Sequence, residues 1–457
     1  MQSLFLSSVF LSLMIMGFSA AFGAALGFIW VDLIKPQSLA YSIIAGQPLS
    51  FIAALFMLGQ YLLNDRKSPP KFGALLTLIV IFAFWVTLTT NMSTIPGHPW
   101  EKWDWVIKVL IFAVLLPFFF RSRIQIEAFI LVFIFSAATI FVSAGAKTVL
   151  GGGGYGVLAV MGGGNSGLAE SSTLAMVCVM LIPLVIYVMR HNLLLPKNWL
   201  FTLLFIGIIV SAVASIVGTS ARTGLISLGV LYVLLTLKSK KKGLLIGAAL
   251  LAGAVVLSMD MASTTWGSRM STIETYDSDS SALGRLAVWK WTIGYVQSHP
   301  LGGGFDAYAH NRISTVTSDG VIIYYPDWRL AGKAFHSIYF EVLGEQGIPG
   351  FVMYLAMIII TLRKLSRLKK QWRDHMGMTW LSALADALIN SITVFLVGGS
   401  FVGIAYQPYI FYMIGLTVAI DQYSARVEKE LRLKKLRERQ LEENAAFEFY
   451  QKGHVTT

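Results

Sequence analysis

The sequence predicts an all-α membrane protein with about twelve spanning helices, on three observations. Hydrophobic residues make up 56% of the 457 positions. Charged residues make up only 13%, about half of their share in an ordinary soluble domain. Twelve apolar runs approach the length of a spanning helix; they are 3–34, 43–63, 73–90, 105–119, 124–145, 168–189, 198–217, 221–237, 243–259, 337–362, 378–396 and 399–420. This composition excludes a soluble globular enzyme and a disordered chain, and a single cysteine excludes an internally disulfide-bonded secreted domain.

The first apolar run is too long for one straight crossing. Residues 3–34 fit either one tilted helix or a broken one, since a spanning helix needs about 20 residues. We count the run as one crossing because this keeps the alternation of the following loops intact.

The connecting segments alternate in positive charge. The segments 64–72, 120–123, 190–197, 238–242 and 363–375 hold seventeen Lys and Arg against two acids. The alternate segments 35–42, 91–104, 146–167, 218–222 and 397–398 hold four, namely Lys35, Lys102, Lys147 and Arg222. Basic loops stay on the cytoplasmic side, so the second set and 260–335 face outward and both termini are cytoplasmic. The net charge of +12 therefore indicates topology rather than nucleic-acid binding.

The outward segment 260–335 is the one large piece between apolar runs. Its Leu286, Trp289, Ile293 and Val296 recur at helical spacing, which predicts a helix lying along the outer membrane boundary. We expect this segment to form a helical cap. The chain then divides into N-terminal helices at 1–217, a core at 218–420 that includes the cap, and a mixed-charge cytoplasmic helix at 421–457.

Two arginines are candidates for binding phosphate. Arg222 stands at the outward end of an otherwise uncharged helix, against the positive-inside trend. Its guanidinium suits bidentate contact with a lipid diphosphate, although an arginine there also serves as an interfacial anchor. Arg285 opens the predicted cap helix, where a plain surface charge is the alternative. Lys290 on the same helix and Lys108 near the end of its apolar run are weaker candidates for the same ligand.

His336 is the candidate for proton transfer. It begins a helix at the membrane edge, where a neutral imidazole accepts a proton from a hydroxyl nucleophile; a structural histidine is the alternative. Glu345 lies nine positions on, about 180° around an ideal helix, so we expect it to support the turn at 347–350 rather than to pair with His336. We expect Tyr339, on the same predicted helix, to support the site. No outward cluster of three ligands is convincing, so the sequence predicts no metal and no cofactor.

Four blocks resemble the O-antigen ligase and O-antigen polymerase superfamily. They are Thr219-Ser220-Ala221-Arg222-Thr223-Gly224, Arg285-Leu286-Ala287-Val288-Trp289, Pro300-Leu301-Gly302-Gly303-Gly304, and His336-Ser337 continuing to Glu345-Gln346-Gly347-Ile348-Pro349-Gly350. Ala221, an extra residue, and Ser337, in place of asparagine, depart from the family pattern. The N-terminal Trp30-Val31-Asp32-Leu33-Ile34-Lys35-Pro36 more loosely resembles an O-glycosylation ligase branch associated with exosortase systems.

The resemblance implies a GT-C-like glycosyltransferase of the bacterial inner membrane with a periplasmic active site. Such an enzyme moves a preassembled glycan from undecaprenyl diphosphate to an acceptor hydroxyl of lipid A-core or protein, with inversion and without metal. Arg222 and Arg285 would stabilise the diphosphate, with Lys108 and Lys290 as further donor contacts. His336 would be the general base. Membrane lipids are the expected surroundings, and nucleic acid is not an expected partner.

Two alternatives stay open at this point. A polysaccharide polymerase uses another lipid-linked glycan as the acceptor, and would produce a ladder of repeat lengths. A lipid-glycan transporter would also suit twelve helices, but the broken, charged midplane helices typical of transporters are missing from the sequence pattern.

Overall fold

The computed structural model describes residues 2–42, 44–64, 71–95, 98–150, 168, 170–219, 221–238, 280–316, 322–325 and 332–453. The helices are α1 (Gln2–Ser19), α2 (Ala21–Ile34), α3 (Pro36–Leu39), α4 (Leu49–Asn64), α5 (Ala74–Asn91), α6 (His98–Phe119), α7 (Arg123–Leu150), α8 (Ser171–His191), α9 (Trp199–Gly218), α10 (Arg222–Lys238), α11 (Ser280–Ser298), α12 (Ile338–Gln371), α13 (Thr379–Gly398) and α14 (Pro408–Gly453). The expected span at 243–259 and the expected cap residues 260–279 lie outside the described residues.

Six described helices are long and apolar enough to cross a membrane, and three shorter ones are apolar. The six are Ala74–Asn91, Arg123–Leu150, Ser171–His191, Trp199–Gly218, Ile338–Gln371 and Thr379–Phe401. The prediction of an all-α, multi-pass membrane protein is confirmed at this level. The count of twelve crossings stays a prediction.

The first apolar run is two helices, not one. The helix breaks at Ala20, whose backbone is extended, and α2 turns back along α1. Small residues let the two backbones approach closely. A Cβ on Gly23 would meet the Met16 carbonyl, and one on Gly17 would meet Ala24. The Tyr41 amide donates to the Ser3 hydroxyl at 3.0 Å, so the N-terminal residues lie beside the segment that follows α2. Counting this run as a single crossing was therefore wrong.

The predicted loop classes separate to opposite ends of the bundle. At one end α5, α9 and α13 stop and α6, α8, α10, α12 and α14 start; we call this the cap end, because α11 lies there. At the other, the basic end, Arg426 donates to the Arg121 carbonyl at 2.6 Å and Lys238 pairs with Asp386 at 2.7 Å. The segments with many cations thus meet at the basic end, as the charge alternation predicts.

The expected cap is not purely helical in its described part. After α11 come a 3-10 turn at Ala307–His310 and an antiparallel hairpin of β1 (Ile313–Val316) and β2 (Ile322–Tyr325). The predicted stripe on α11 is also only partly right. Val296 is buried, but Leu286 and Ile293 are exposed, and the inward face carries Val288 and Thr292 instead.

A break in α12 joins the cap to the bundle. Gly347 has φ 65° and ψ −168°, a conformation open to glycine but not to other residues. The loop 300–304 docks against this break through backbone bonds alone. Gly303 and Gly304 donate to the carbonyls of Gly344 and Glu345 at 3.0 and 2.9 Å, and Ile348 donates to Pro300 at 2.9 Å.

Candidate active site

A small polar cavity lies at the cap end, where α6, α8, α12 and the cap converge. Its volume is about 190 Å³. The described residues that line it are Lys102, Glu170, Asp306, Tyr308, Ala334, Phe335, His336, Glu341, Glu345 and Gly403. Two of the predicted site residues, His336 and Glu345, are therefore wall residues of one cavity.

His336 is held in an unusual backbone conformation by its neighbours. Its φ is 48°, in the left-handed region that non-glycine residues rarely adopt. The Asn311 side chain donates to the Lys333 carbonyl and accepts from the Lys333 amide, both at 2.8 Å. The Trp289 indole donates to the Phe335 carbonyl at 2.9 Å. These bonds hold the backbone of residues 333–335, which leads into His336, and so constrain the position of its imidazole.

The surroundings of His336 keep its imidazole neutral. Burial lowers the pKa of His336 to about 4, and the positive charges of Lys333 and Arg285 act in the same direction. At neutral pH the ring is therefore unprotonated and free to accept a proton. It is a weak base in this state, because two cations disfavour the imidazolium.

Arg285 lies close enough to His336, Lys333 and Glu170 for its charge to act on each of them. It stands one helical turn before Trp289 on α11, and residues four apart share a helix face. The same face of α11 thus holds the His336 segment through Trp289 and presents a guanidinium to the cavity region through Arg285. The four-residue spacing of Arg285 and Trp289 therefore follows from their shared helix face.

Lys102 forms the centre of a buried ionic cluster that also lines the cavity. Its ammonium lies 2.8 Å from a carboxylate oxygen of Glu341, 2.8 Å from one of Glu345 and 3.9 Å from one of Asp306. The rings of Phe305 and Tyr406 lie 5.5 and 5.0 Å from the ammonium and close the cluster off. Three carboxylates thus share one lysine.

The same carboxylates also bind backbone groups. The Ala405 amide donates to Glu341 and the Asp306 amide donates to Glu345, each at 3.0 Å. Glu345 therefore ties α6, the loop after α11 and the break in α12 together. The sequence predicts that Glu345 supports the turn at 347–350, which lies beside it. Its backbone carbonyl accepts from Gly304 and its carboxylate accepts from Asp306, so both groups hold this region.

Charges of both signs surround the cavity. The cations of Lys333 and Arg285 act on His336, which lines it, while Glu341 and Asp306 line it beside Lys102. A bound ligand that carries groups of both signs therefore finds opposite charges close by.

The remaining predicted residues lie elsewhere. Arg222 begins α10 at the cap end, and Gly224 in the next turn packs on Ala175 of α8, but Arg222 is not among the described lining residues. Lys290 is exposed on α11. The Tyr339 hydroxyl donates to the Leu396 carbonyl at 3.0 Å, which joins α12 to α13. Lys108 pairs with exposed Asp104 at 2.6 Å, away from the cavity.

Lys102 is the main residue that sequence reasoning missed. Its signal was available, because Lys102 and Arg222 are both outward basic residues that run against the charge trend. Glu341, Asp306 and Glu170 carry weaker signals, since single acids in loops and helix starts are common. Glu345 and Glu127 are the most buried of the described charged side chains, at 0% and 2% exposed.

Among the described residues, no group of three or more His, Cys, Asp or Glu side chains is arranged to hold a metal ion. The acids around the cavity are held apart by Lys102, which occupies the position between Glu341 and Glu345.

Comparison with known families matches two separate segments of the chain. Residues 207–355 match the O-antigen ligase family, which confirms the resemblance seen in the sequence and indicates a ligase- or polymerase-type function. Residues 1–193 match a family of unknown function, DUF5935. No curated protein matches the chain. Lys102 and Glu170 come from the first segment and His336, Glu341 and Glu345 from the second, so both contribute to the cavity.

Proposed function

We propose that the protein is a glycosyltransferase that moves a preassembled glycan from undecaprenyl diphosphate to an acceptor hydroxyl on the periplasmic face of the inner membrane. The observation that carries the proposal is the position of His336. It lies neutral, with a constrained backbone, in the wall of a polar cavity and within the segment that matches the O-antigen ligase family.

The cations near His336 suit the leaving group. When the bond between the anomeric carbon and the diphosphate breaks, the electron pair and its charge stay on the diphosphate oxygen. Arg285 at the cavity and Arg222 at the same end of the bundle would stabilise this charge by bidentate contacts. Lys290 would be a secondary donor contact, whereas Lys108 is held by Asp104 and is not expected to reach the donor.

The neutral imidazole suits the acceptor. The acceptor oxygen attacks the anomeric carbon from the face opposite the diphosphate, which inverts its configuration, and the hydroxyl proton passes to His336. A donor diphosphate beside Arg285 would offset the cations that now depress the pKa of His336. His336 would thus become a stronger base once the donor is bound.

The carboxylates of Glu341 and Asp306 suit the reacting carbon. Glycosyl transfer passes through a state with positive character at the anomeric carbon. Both carboxylates line the cavity beside Lys102 and would stabilise that state. Lys102 would then be a positioning residue that keeps the carboxylates in place.

The test uses purified protein, an undecaprenyl-diphosphate glycan and EDTA, with lipid A-core and hydroxyl-bearing protein acceptors supplied one at a time. We expect transfer in EDTA, loss of transfer in Arg285→Ala and Arg222→Ala, and a fall of about 10²–10⁴ in turnover for His336→Ala with donor binding retained. Lys370→Gln, at the basic end, is the matched control and should transfer normally.

Each result has a defined meaning. The acceptor that works identifies a ligase branch, whereas a ladder of repeat lengths without either acceptor would identify a polymerase. Wild-type transfer by His336→Ala would remove the general-base assignment. An absence of donor binding would overturn the glycosyltransferase proposal and restore the transporter alternative.

A further inference from the structure

Two adjoining cavities lie at the basic end, far from the site above. One, of about 480 Å³, lies between α8, α10 and α13. The other, of about 400 Å³, lies between α10, α12 and α13. Lys238 and Asn390 belong to the walls of both, so the two cavities share a boundary at the end of α10.

Their lining is strongly positive. Five cationic side chains face one carboxylate, that of Asp386; the cations are Arg190, Lys238, Lys369, Lys370 and Arg373. Asp386 accepts from Lys238 and from Lys369, each at 2.7 Å, and one negative charge cannot neutralise both. Arg190, Lys370 and Arg373 add further positive charge at the exposed rim. Such a cluster attracts phosphate oxygens.

A buried hydroxyl points to a ligand independently of the charges. Tyr187 lines the larger cavity and is only 3% exposed, and its hydroxyl has no hydrogen-bond partner among the described residues. Its ring stacks on His191, 5.7 Å between centroids, which fixes its direction. Buried hydroxyls in proteins almost always find a partner. A phosphate or ester oxygen in the cavity would supply one.

The inner wall of the larger cavity is apolar. Pro183, Ile186, Leu235, Ala383 and Ala387 line it below the cations. A free phosphate ion gains nothing from such a wall, whereas an acyl chain attached to a phosphate does. Basic pockets between membrane helices are a known setting for anionic lipid headgroups.

We propose that these joined cavities at the basic end bind the phosphate headgroup of an anionic phospholipid, with its acyl chain against the apolar wall. The cations hold the phosphate and the Tyr187 hydroxyl donates to a lipid oxygen. The site lies at the opposite end of the bundle from the catalytic cavity, so the proposal does not rest on the glycosyltransferase function.

The experiment is native mass spectrometry of the full-length protein in detergent micelles. Phosphatidylglycerol and phosphatidylcholine with identical acyl chains are titrated separately, and inorganic phosphate is added in large excess as a competitor. The test variant is Arg190→Gln/Lys370→Gln/Arg373→Gln, and Tyr187→Phe is a second, single-atom variant. The matched control, Lys429→Gln/Arg432→Gln/Lys435→Gln, removes the same charge from the exposed part of α14.

We expect phosphatidylglycerol to bind at least about tenfold more tightly than phosphatidylcholine, because each nearby cation strengthens the contact. The test variant should lose that preference, Tyr187→Phe should weaken binding about threefold to tenfold, and the control should bind like wild type. Equal binding of both lipids, or wild-type binding by the test variant, would overturn the proposal. Full displacement by inorganic phosphate would overturn the lipid assignment in favour of a free-phosphate site.

Discussion

The two ends of the bundle hold charge in different ways. At the cap end, Lys102 and its partners Glu341 and Glu345 are 14%, 8% and 0% exposed and surround a cavity. At the basic end, Asp421 pairs with Lys364 and with Arg367, which is 61% exposed. Enclosing charges is unfavourable unless they are paired, whereas exposed pairs contribute little either way. The Lys102 cluster and the Asp421 pairs should therefore respond very differently to the loss of a lysine.

The largest effect on stability is expected from Lys102→Met. This change leaves the Glu341 and Glu345 carboxylates buried without their cation, which should lower the free energy of unfolding by about 3 kcal/mol or more. Lys364→Met at the basic end should cost about 1 kcal/mol or less, since Asp421 keeps Arg367. Thermal unfolding in detergent micelles measures both.

A double variant separates charge from packing in this cluster. Lys102→Met/Glu345→Gln removes one of the stranded carboxylate charges and should recover part of the lost stability. If Lys102→Met and Lys364→Met destabilised the protein equally, the contrast between the two ends would be wrong.

The next largest effect is expected from Gly302→Ala, in the loop that joins the cap to the bundle. A Cβ there would lie 2.4 Å from the Glu345 carbonyl and from the Gly347 nitrogen, and φ is +87°. We expect a loss of about 1–3 kcal/mol from strain. Gly294→Ala on α11 has no atom within 4 Å of the new carbon and should be neutral or slightly stabilising. Unfolding curves of the two variants in the same micelles make the comparison; equal stability would contradict the docking geometry.

A smaller effect is expected from Lys333→Gln, on the pH dependence of transfer. The Lys333 cation helps to lower the pKa of His336 to about 4, so its removal should raise that pKa towards the usual 6.5. Because the neutral imidazole is the active form, the acid limb of kcat/KM should move to higher pH. Lys429→Gln, on the exposed part of α14, is the control. An unchanged profile would show that His336 does not govern the acid limb.

The smallest effect is expected from Lys108→Gln. Lys108 makes an exposed pair with Asp104, so its loss should change stability by less than about 0.5 kcal/mol. Transfer should stay within about twofold of wild type. A tenfold fall in transfer would instead support the sequence-based prediction that Lys108 contacts the donor.

Much of the fold follows from hydropathy alone. The apolar runs 73–90, 198–217 and 378–396 match α5, α9 and α13 to within about two residues, because long helices in lipid need few other signals. A broken helix was one of two readings of residues 3–34, but the break could not be located at Ala20 because alanine is an ordinary helix former. The turn arises from tertiary packing of glycines in α1 and α2, which no local pattern shows.

The candidate site is harder to predict from the sequence because it too depends on tertiary packing. His336 and Arg285 could be found because they fall in motif-like blocks of one segment. Lys102 lies 239 positions before Glu341, and only the fold brings the two together. The β-hairpin was missed since β1 and β2 are four residues each, too short for a clear alternation.

The hairpin of α1 and α2 has a practical consequence for labelling. Ser3 lies beside Tyr41 at the end that carries the cap, whereas α14 begins at that end and runs to Gly453 past the basic end. A fluorophore attached at Ser3 therefore reports on the cap end of the bundle, and one attached near Gly453 reports on the region beyond the basic end.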